Sequence, residues 1–162
     1  MKKDQVLKRL EKAWATFQES YAGLSDPQLM EPGVMGEWSV KDILAHVTTW
    51  EEEALKSLPL ILTGGKPPRY IQFGGIDAFN AQMAELKRDT ALSDVLRQLD
   101  ETHLRLLDYL QSVSEEHFTR ETRFRRRLRL DTYSHYLLHA RAMREWRERP
   151  AEKRDIQKEI GF

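Results

Sequence analysis

Ser39-Val-Lys-Asp42-Ile-Leu-Ala-His46-Val-Thr-Thr-Trp50 is the stretch on which the fold turns. Ser39 followed three residues later by Asp42 is a variant of the capping box, two polar side chains that satisfy the free N–H groups of a helix start. Advancing about 100° per residue from Ile43, residues Val47, Trp50, Ala54, Leu58 and Ile61 all fall within about 60° of it. The spacing predicts a long helix with one apolar face. Pro59 should kink this helix or end it. Gly64-Gly65 then stops it, and Lys66-Pro-Pro68 enforces an extended exit.

Working outward, Leu7, Leu10, Trp14, Phe17, Tyr21 and Leu24 recur at steps of three and four, the stripe of a helix packed inside a bundle. That helix ends at Gly23-Leu-Ser-Asp-Pro27, and residues 27–37 read as a loop around Pro32-Gly33 and Gly36. Beyond the second helix, residues 64–75 form the longest irregular segment, a candidate lid carrying Arg69, Tyr70 and Phe73. A shorter helix follows with Phe79, Met83 and Leu86. Thr90 or Ser93 can cap a third long helix bearing Leu92, Val95, Leu96, Leu99, Leu106, Leu107, Leu110 and Val113. Residues 119–130 are dense in arginine and show no clear period. A fourth long helix begins near Asp131, runs past Trp146 and gives way at Pro150, leaving a polar tail over 150–162. No strand-like alternation, internal repeat or low-complexity tract is present. The expectation is an all-α four-helix bundle with one short extra helix. The long connection between the second and third long helices hints at a crossover.

Composition narrows the chemistry. At 162 residues the chain suits a single domain spanning 1–162, with a bundle core over about 2–149. Lys and Arg number 26 and Asp and Glu number 26, so the net charge is zero. Cysteine is absent, which removes disulfides, cysteine-ligated zinc, iron–sulfur clusters and thiol nucleophiles together. Mean hydropathy is −0.65, the longest apolar run is Leu58-Pro-Leu-Ile-Leu62, and nothing resembles a signal peptide. These features lead us to expect a soluble, cytoplasmic protein with no membrane partner.

Of five histidines, His135-Tyr-Leu-Leu-His139 is the informative pair. On a helix, i and i+4 differ by about 40° in direction and about 6 Å in rise, so both imidazoles can converge on one ion. His46 lies at the border of the second helix's apolar arc, and a bundle pairing the second and fourth helices would set it opposite. Three imidazoles on two helices suit zinc, nickel or iron as a divalent cofactor and leave positions open. Spacing alone leaves a second reading open, in which these are core-edge histidines bonded to their neighbours.

Gly36-Glu-Trp-Ser-Val-Lys-Asp-Ile-Leu-Ala-His-Val-Thr-Thr-Trp50-Glu resembles the first signature of the DinB/YfiT-like superfamily, in which Trp-Ser/Thr-x-x-Asp precedes a helix carrying a His. Tyr133-Ser-His-Tyr-Leu-Leu-His139 resembles the second signature, the His-x-x-x-His of the last bundle helix. Ile76-Asp-Ala-Phe-Asn80 is similar to a segment of the ClbS/DfsB-like branch. The resemblance implies a bundle whose divalent metal is held by His46, His135 and His139, and often a homodimer. It implies an enzyme acting on a small reactive molecule, in detoxification or self-resistance. The reaction would be a hydrolysis, or a transfer or isomerisation using a low-molecular-weight thiol, which must come from outside a chain without cysteine. The alternative is a non-catalytic module that binds or sequesters a small molecule, its metal structural or absent.

Around that triad, Trp50 reads as a pocket wall or a core aromatic. Glu53 reads as a ligand-orienting group or base, or else as a solvated edge charge. Asn80 could donate to a ligand or only to backbone. His103 falls among Leu99, Leu106 and Leu110 and faces inward, as a pocket residue or a satisfied core histidine; His117 reads as surface. The cluster Arg120, Arg123, Arg125, Arg126, Arg127 and Arg129 could bind phosphates, pair with carboxylates or hold an anionic substrate tail. Zero net charge, and Phe124 as the sole interleaved aromatic, argue for a small-molecule partner and against nucleic acid.

Overall fold

The structure, a computed structural model, describes residues 1–149; the polar tail assigned to 150–162 lies outside the described residues. In chain order the helices are α1 (Lys3–Tyr21), α2 (Asp26–Leu29), α3 (Val40–Leu62), α4 (Ile76–Lys87), α5 (Leu92–Ser112), α6 (Glu116–Thr119), α7 (Arg123–Asp131) and α8 (Tyr133–Glu148), with a 3₁₀ turn at Tyr70–Phe73. No strand occurs among the described residues, and none of their helices is long and apolar enough to cross a membrane.

The capping box of α3 forms as its sequence requires. Ser39 Oγ accepts from the Asp42 N–H at 3.1 Å, and Asp42 Oδ2 accepts from the Ser39 N–H at 2.9 Å. Pro59 falls in the last turn, and the helix ends three residues later. Elsewhere local signals misled. The loop assigned to 27–37 begins with the short α2, started by Ser25 and Gln28 in a capping box of their own. Neither Thr90 nor Ser93 caps α5; its N-cap is Ala91, which offers no side-chain bond.

Four rods enclose one apolar cluster, in which Phe17, Ile43, Leu58, Leu106, Tyr136 and Trp146 are wholly or almost wholly buried. Their directions follow from cross-contacts. Lys3 Nζ donates to the Gln111 and Val113 carbonyls at 2.6 and 2.7 Å, so α1 starts where α5 ends. Arg9 lies over Tyr133 near the start of α8, and Arg147 Nη1 reaches the Ser20 carbonyl near the end of α1. Hence α1 and α8 run the same way. Lys41 meets the Arg88 carbonyl just before α5 begins, and Glu51 meets His103 further along, so α3 and α5 also run parallel. The connection through residues 63–91 is therefore the crossover that its length suggested.

The fourth rod is longer than the sequence implied and is broken. α7 occupies the arginine-dense stretch and α8 resumes after Thr132, whose backbone (φ −124°, ψ −102°) is not helical. Both pieces pack on α3, running against its direction: His46 faces His135 and His139, while Trp50 faces Arg127. This antiparallel pairing positions the site.

Candidate metal centre

His46 enters from α3, two turns after its cap, and His135 and His139 from successive turns of α8. The His135 Nε2 atom lies 3.0 Å from His46 Nε2 and 2.8 Å from His139 Nε2, and the three imidazoles present a donor atom each within 4.8 Å of one another. One loop closes over them. The Trp38 N–H donates to the Met35 carbonyl at 2.9 Å across a tight turn whose Gly36 has φ +58°, a value that disfavours any side chain. The turn lays Trp38 against the His46 ring and brings Met35 Sδ to 3.2 Å from His139 Nδ1.

Electrostatics keep the trio uncharged. Burial first, then the neighbouring His139 and Lys87, hold His46 down at about 3. Burial, then the other two imidazoles, hold His135 at about 2, and burial alone holds His139 at about 4. Three neutral rings aiming their Nε2 atoms at one point leave at least one lone pair facing another nitrogen, and a cation there would satisfy all three. The donor set fits a borderline-soft divalent ion, which binds imidazole nitrogen at about 2.0–2.1 Å. One supporting contact common around such ligands is missing: His135 Nδ1 is buried without a hydrogen-bond partner among the described residues.

This arrangement sets the acid response of the metal-free protein. An unfolded histidine titrates near 6.5, so between that pH and about 4 the unfolded chain binds protons that the folded triad refuses. Stability should fall as pH drops through the window, by about 1.4 kcal/mol per pH unit for each histidine fully engaged. Asp131, raised to about 6 by burial against the lowering effect of Arg127, pulls the other way between about 4 and 6. Buried Glu51, its acid form also favoured by burial, opposes the histidines too at the acid end, and three groups against two leave a net loss. Thermal melts of chelated protein from pH 7 to 4.5 should show a midpoint falling steadily; a flat profile would contradict the buried neutral triad.

The triad opens on a cavity of about 530 Å³, walled by Met35, Trp38, Trp50, Tyr70, Leu138 and others. Trp50 is both wall and packed aromatic: its indole N–H donates to Asn80 Oδ1 at 2.9 Å and its ring abuts Phe79. Asn80 lines the cavity too, with its oxygen committed to that bond. Glu53 stands behind the wall. It accepts from the Tyr70 hydroxyl at 3.0 Å, and that oxygen accepts from Arg127 Nη2 at 2.7 Å. Arg127 in turn donates from Nε to Asp131, whose buried carboxyl faces the cavity. Burial, against the opposing pull of Arg127, pushes the Tyr70 hydroxyl up to about 12.

His103 does not join this cavity. It stacks on Trp14 at 3.6 Å between ring centres and pairs through Nδ1 with Glu51, at 3.2 Å. The core reading of this residue holds, and its placement at the pocket is corrected: the α5 face that carries it packs on α1 and the opposite side of α3. His117 lies part-exposed at α6 beside Phe124.

Sequence reasoning passed over Tyr70, Arg127 and Asp131 as a linked set. A signal was present: Arg127, Asp131, His135 and His139 follow one another at steps of four, the period that aligns side chains along one helix face.

The sequence profile of the DinB superfamily matches residues 9–152. None of the curated proteins matches the chain. Solved structures share its fold, ClbS and DfsB among them. The colibactin self-resistance protein ClbS, crystallised in complex with a dsDNA, superposes with a TM-score of 0.74 at 15% identity, over 93% of this chain and 98% of its own. DfsB, described as a sibling lethal factor precursor, gives a TM-score of 0.74 at 15% identity, over 91% and 96%. The ClbS complex overturns the exclusion of nucleic acid drawn from composition. A protein of this fold is found with duplex DNA, and a net charge of zero summed over a chain does not describe any one face of it. Here six of ten residues from Arg120 to Arg129 are arginines.

Proposed function

The chain belongs to the DinB superfamily, and on that premise we propose a metal-dependent enzyme that detoxifies a small reactive molecule. The observation that supports it best is the convergence of three uncharged imidazoles on one side of an apolar cavity. His46, His135 and His139 would hold the ion. Zinc, nickel or iron bound there would supply Lewis acidity, polarising an electrophile and lowering the pKa of water or of an external thiol. The protein's own groups account for the rest. Trp38, Trp50 and Leu138 exclude water and hold the apolar part of the substrate. Asp131, its pKa raised to about 6 by burial, takes a proton from the attacking nucleophile. Arg127 fixes Asp131 and Tyr70 together, and Glu53 anchors Tyr70 from behind, a positioning role instead of a catalytic one.

The self-resistance role of ClbS agrees with detoxification, and the missing cysteine means that any thiol arrives with the substrate. The deciding measurement follows an electrophile such as an activated epoxide or cyclopropane with zinc-loaded protein, with and without a small thiol. An enzyme accumulates product past the protein concentration, and Asp131→Asn lowers the rate about 100-fold while flattening its rise around pH 6. Product that stops at one equivalent would instead establish a sequestering module. The DNA in the ClbS complex favours a second reading, in which the chemistry takes place beside a duplex. A rate that rises when a short duplex is added would support it.

A further inference from the structure

A second groove, of about 550 Å³, runs beside the histidine cavity between the 63–75 segment and α7. Four guanidinium groups line it, those of Arg69, Arg123, Arg126 and Arg127, and no carboxylate does. Three arginines of the cluster have acidic partners: Arg125 and Arg129 share Glu121, and Arg127, at the groove's inner end, pairs with Asp131. Arg69, Arg123 and Arg126 have no acidic partner among the described residues. Uncompensated guanidiniums gathered in one groove, Arg123 and Arg126 from α7 and Arg69 from the facing segment, repel one another, and an anion placed between them relieves that cost while accepting charge-assisted bonds. The remaining wall is hydrocarbon, with Ile61, Pro67, Pro68 and Ile71 among its residues, and Ile71 is 78% exposed. Tyr70, Ile76, Arg127 and Leu130 line both groove and cavity, so the two spaces meet.

We infer that this groove is a binding subsite for an amphiphilic anion. A carboxylate, sulfonate or phosphate sits on Arg123 and Arg126, the apolar body lies along the isoleucine and proline wall, and the far end passes Arg127 towards the histidines. The inference rests on the cavity's being the reacting centre, and it makes the substrate an apolar molecule with one acidic end. Neither water-soluble inorganic anions nor uncharged hydrocarbons satisfy both walls. A DNA backbone supplies phosphates too, and a duplex is therefore one arm of the test.

Calorimetry with octanoate and with octanol, which share one chain length and differ in charge, tests it on the full-length protein. Octanoate should bind at one site at least about tenfold tighter than octanol. The Arg123→Ala/Arg126→Ala variant changes two exposed side chains. It should weaken octanoate about tenfold and leave octanol unchanged. His135→Ala should bind octanoate as the wild type does, so a failure of metal binding leaves this result standing. Equal affinity for acid and alcohol, or no effect of the double variant, would overturn the subsite. Loss of octanoate binding in His135→Ala would move the anion to the histidines and overturn it as well. So would a short DNA duplex that binds through Arg123 and Arg126 while octanoate does not.

Discussion

Replacing His135 by alanine should take the protein, purified without a polyhistidine tag, from about one divalent ion per chain to background. Circular dichroism should report the same helix content. His135 is the hub of the triad, its Nε2 within 3.0 Å of both other rings. Without it the remaining pair, on two different helices, has no shared neighbour to set its spacing. The loss should exceed the about 10–100-fold that removal of a supporting partner costs a metal site. Little stability goes with it, because the side chain borders the cavity and its Nδ1 bonds to no described residue. His117→Ala is the matched control: it removes a part-exposed histidine outside the triad and should leave the ion in place. Elemental analysis decides. Undiminished metal in His135→Ala would sink the ligand assignment and the chemistry proposed on it.

The second large effect is expected far from the cavity. Glu51 is fully buried, and its carboxylate oxygens lie 3.2 and 3.3 Å from His103 Nδ1. Burial pushes the acid's pKa up and the imidazole pulls it back. Glu51→Ala opens a void and strands the His103 ring between Trp14 and the core, so the cost should be about 3–5 kcal/mol, the range for breaking a buried pair from one side. For a chain of this size that lowers the melting midpoint by about 10 °C. Replacing both partners, Glu51→Met with His103→Leu, removes the polar groups together and should recover more than half of the loss. Urea denaturation of Glu51→Met, His103→Leu and the double variant closes the cycle. Additive losses would show that the pair contributes nothing as a pair.

These two sites differ in how they are written in the chain. The helix α3, its cap and the His135–His139 spacing follow from local rules, because each rests on residues within two turns of one another. His103 was readable as inward-facing, yet its partner was not, since Glu51 lies on another helix 52 positions away and carries a charge usually found at the surface. The helix α7 escaped because only Phe124 and Leu128 among its apolar residues are buried; its turns are laced by Arg127 with Asp131 and Arg125 with Glu121. A period sought in apolar residues does not find a helix held by ion pairs. Composition failed differently: a sum over all charges erased the contrast between an arginine wall without acids and a remainder that balances it.

The parallel run of α1 and α8 carries a consequence for biosynthesis. Arg147 closes onto Ser20 across 127 positions, so the last rod docks against the first only after everything between them has left the ribosome. Until then α3 offers one imidazole, too few to retain a cation. A cation held by all three rings can be captured only after α8 has been made and has docked, since two of the three imidazoles come from it.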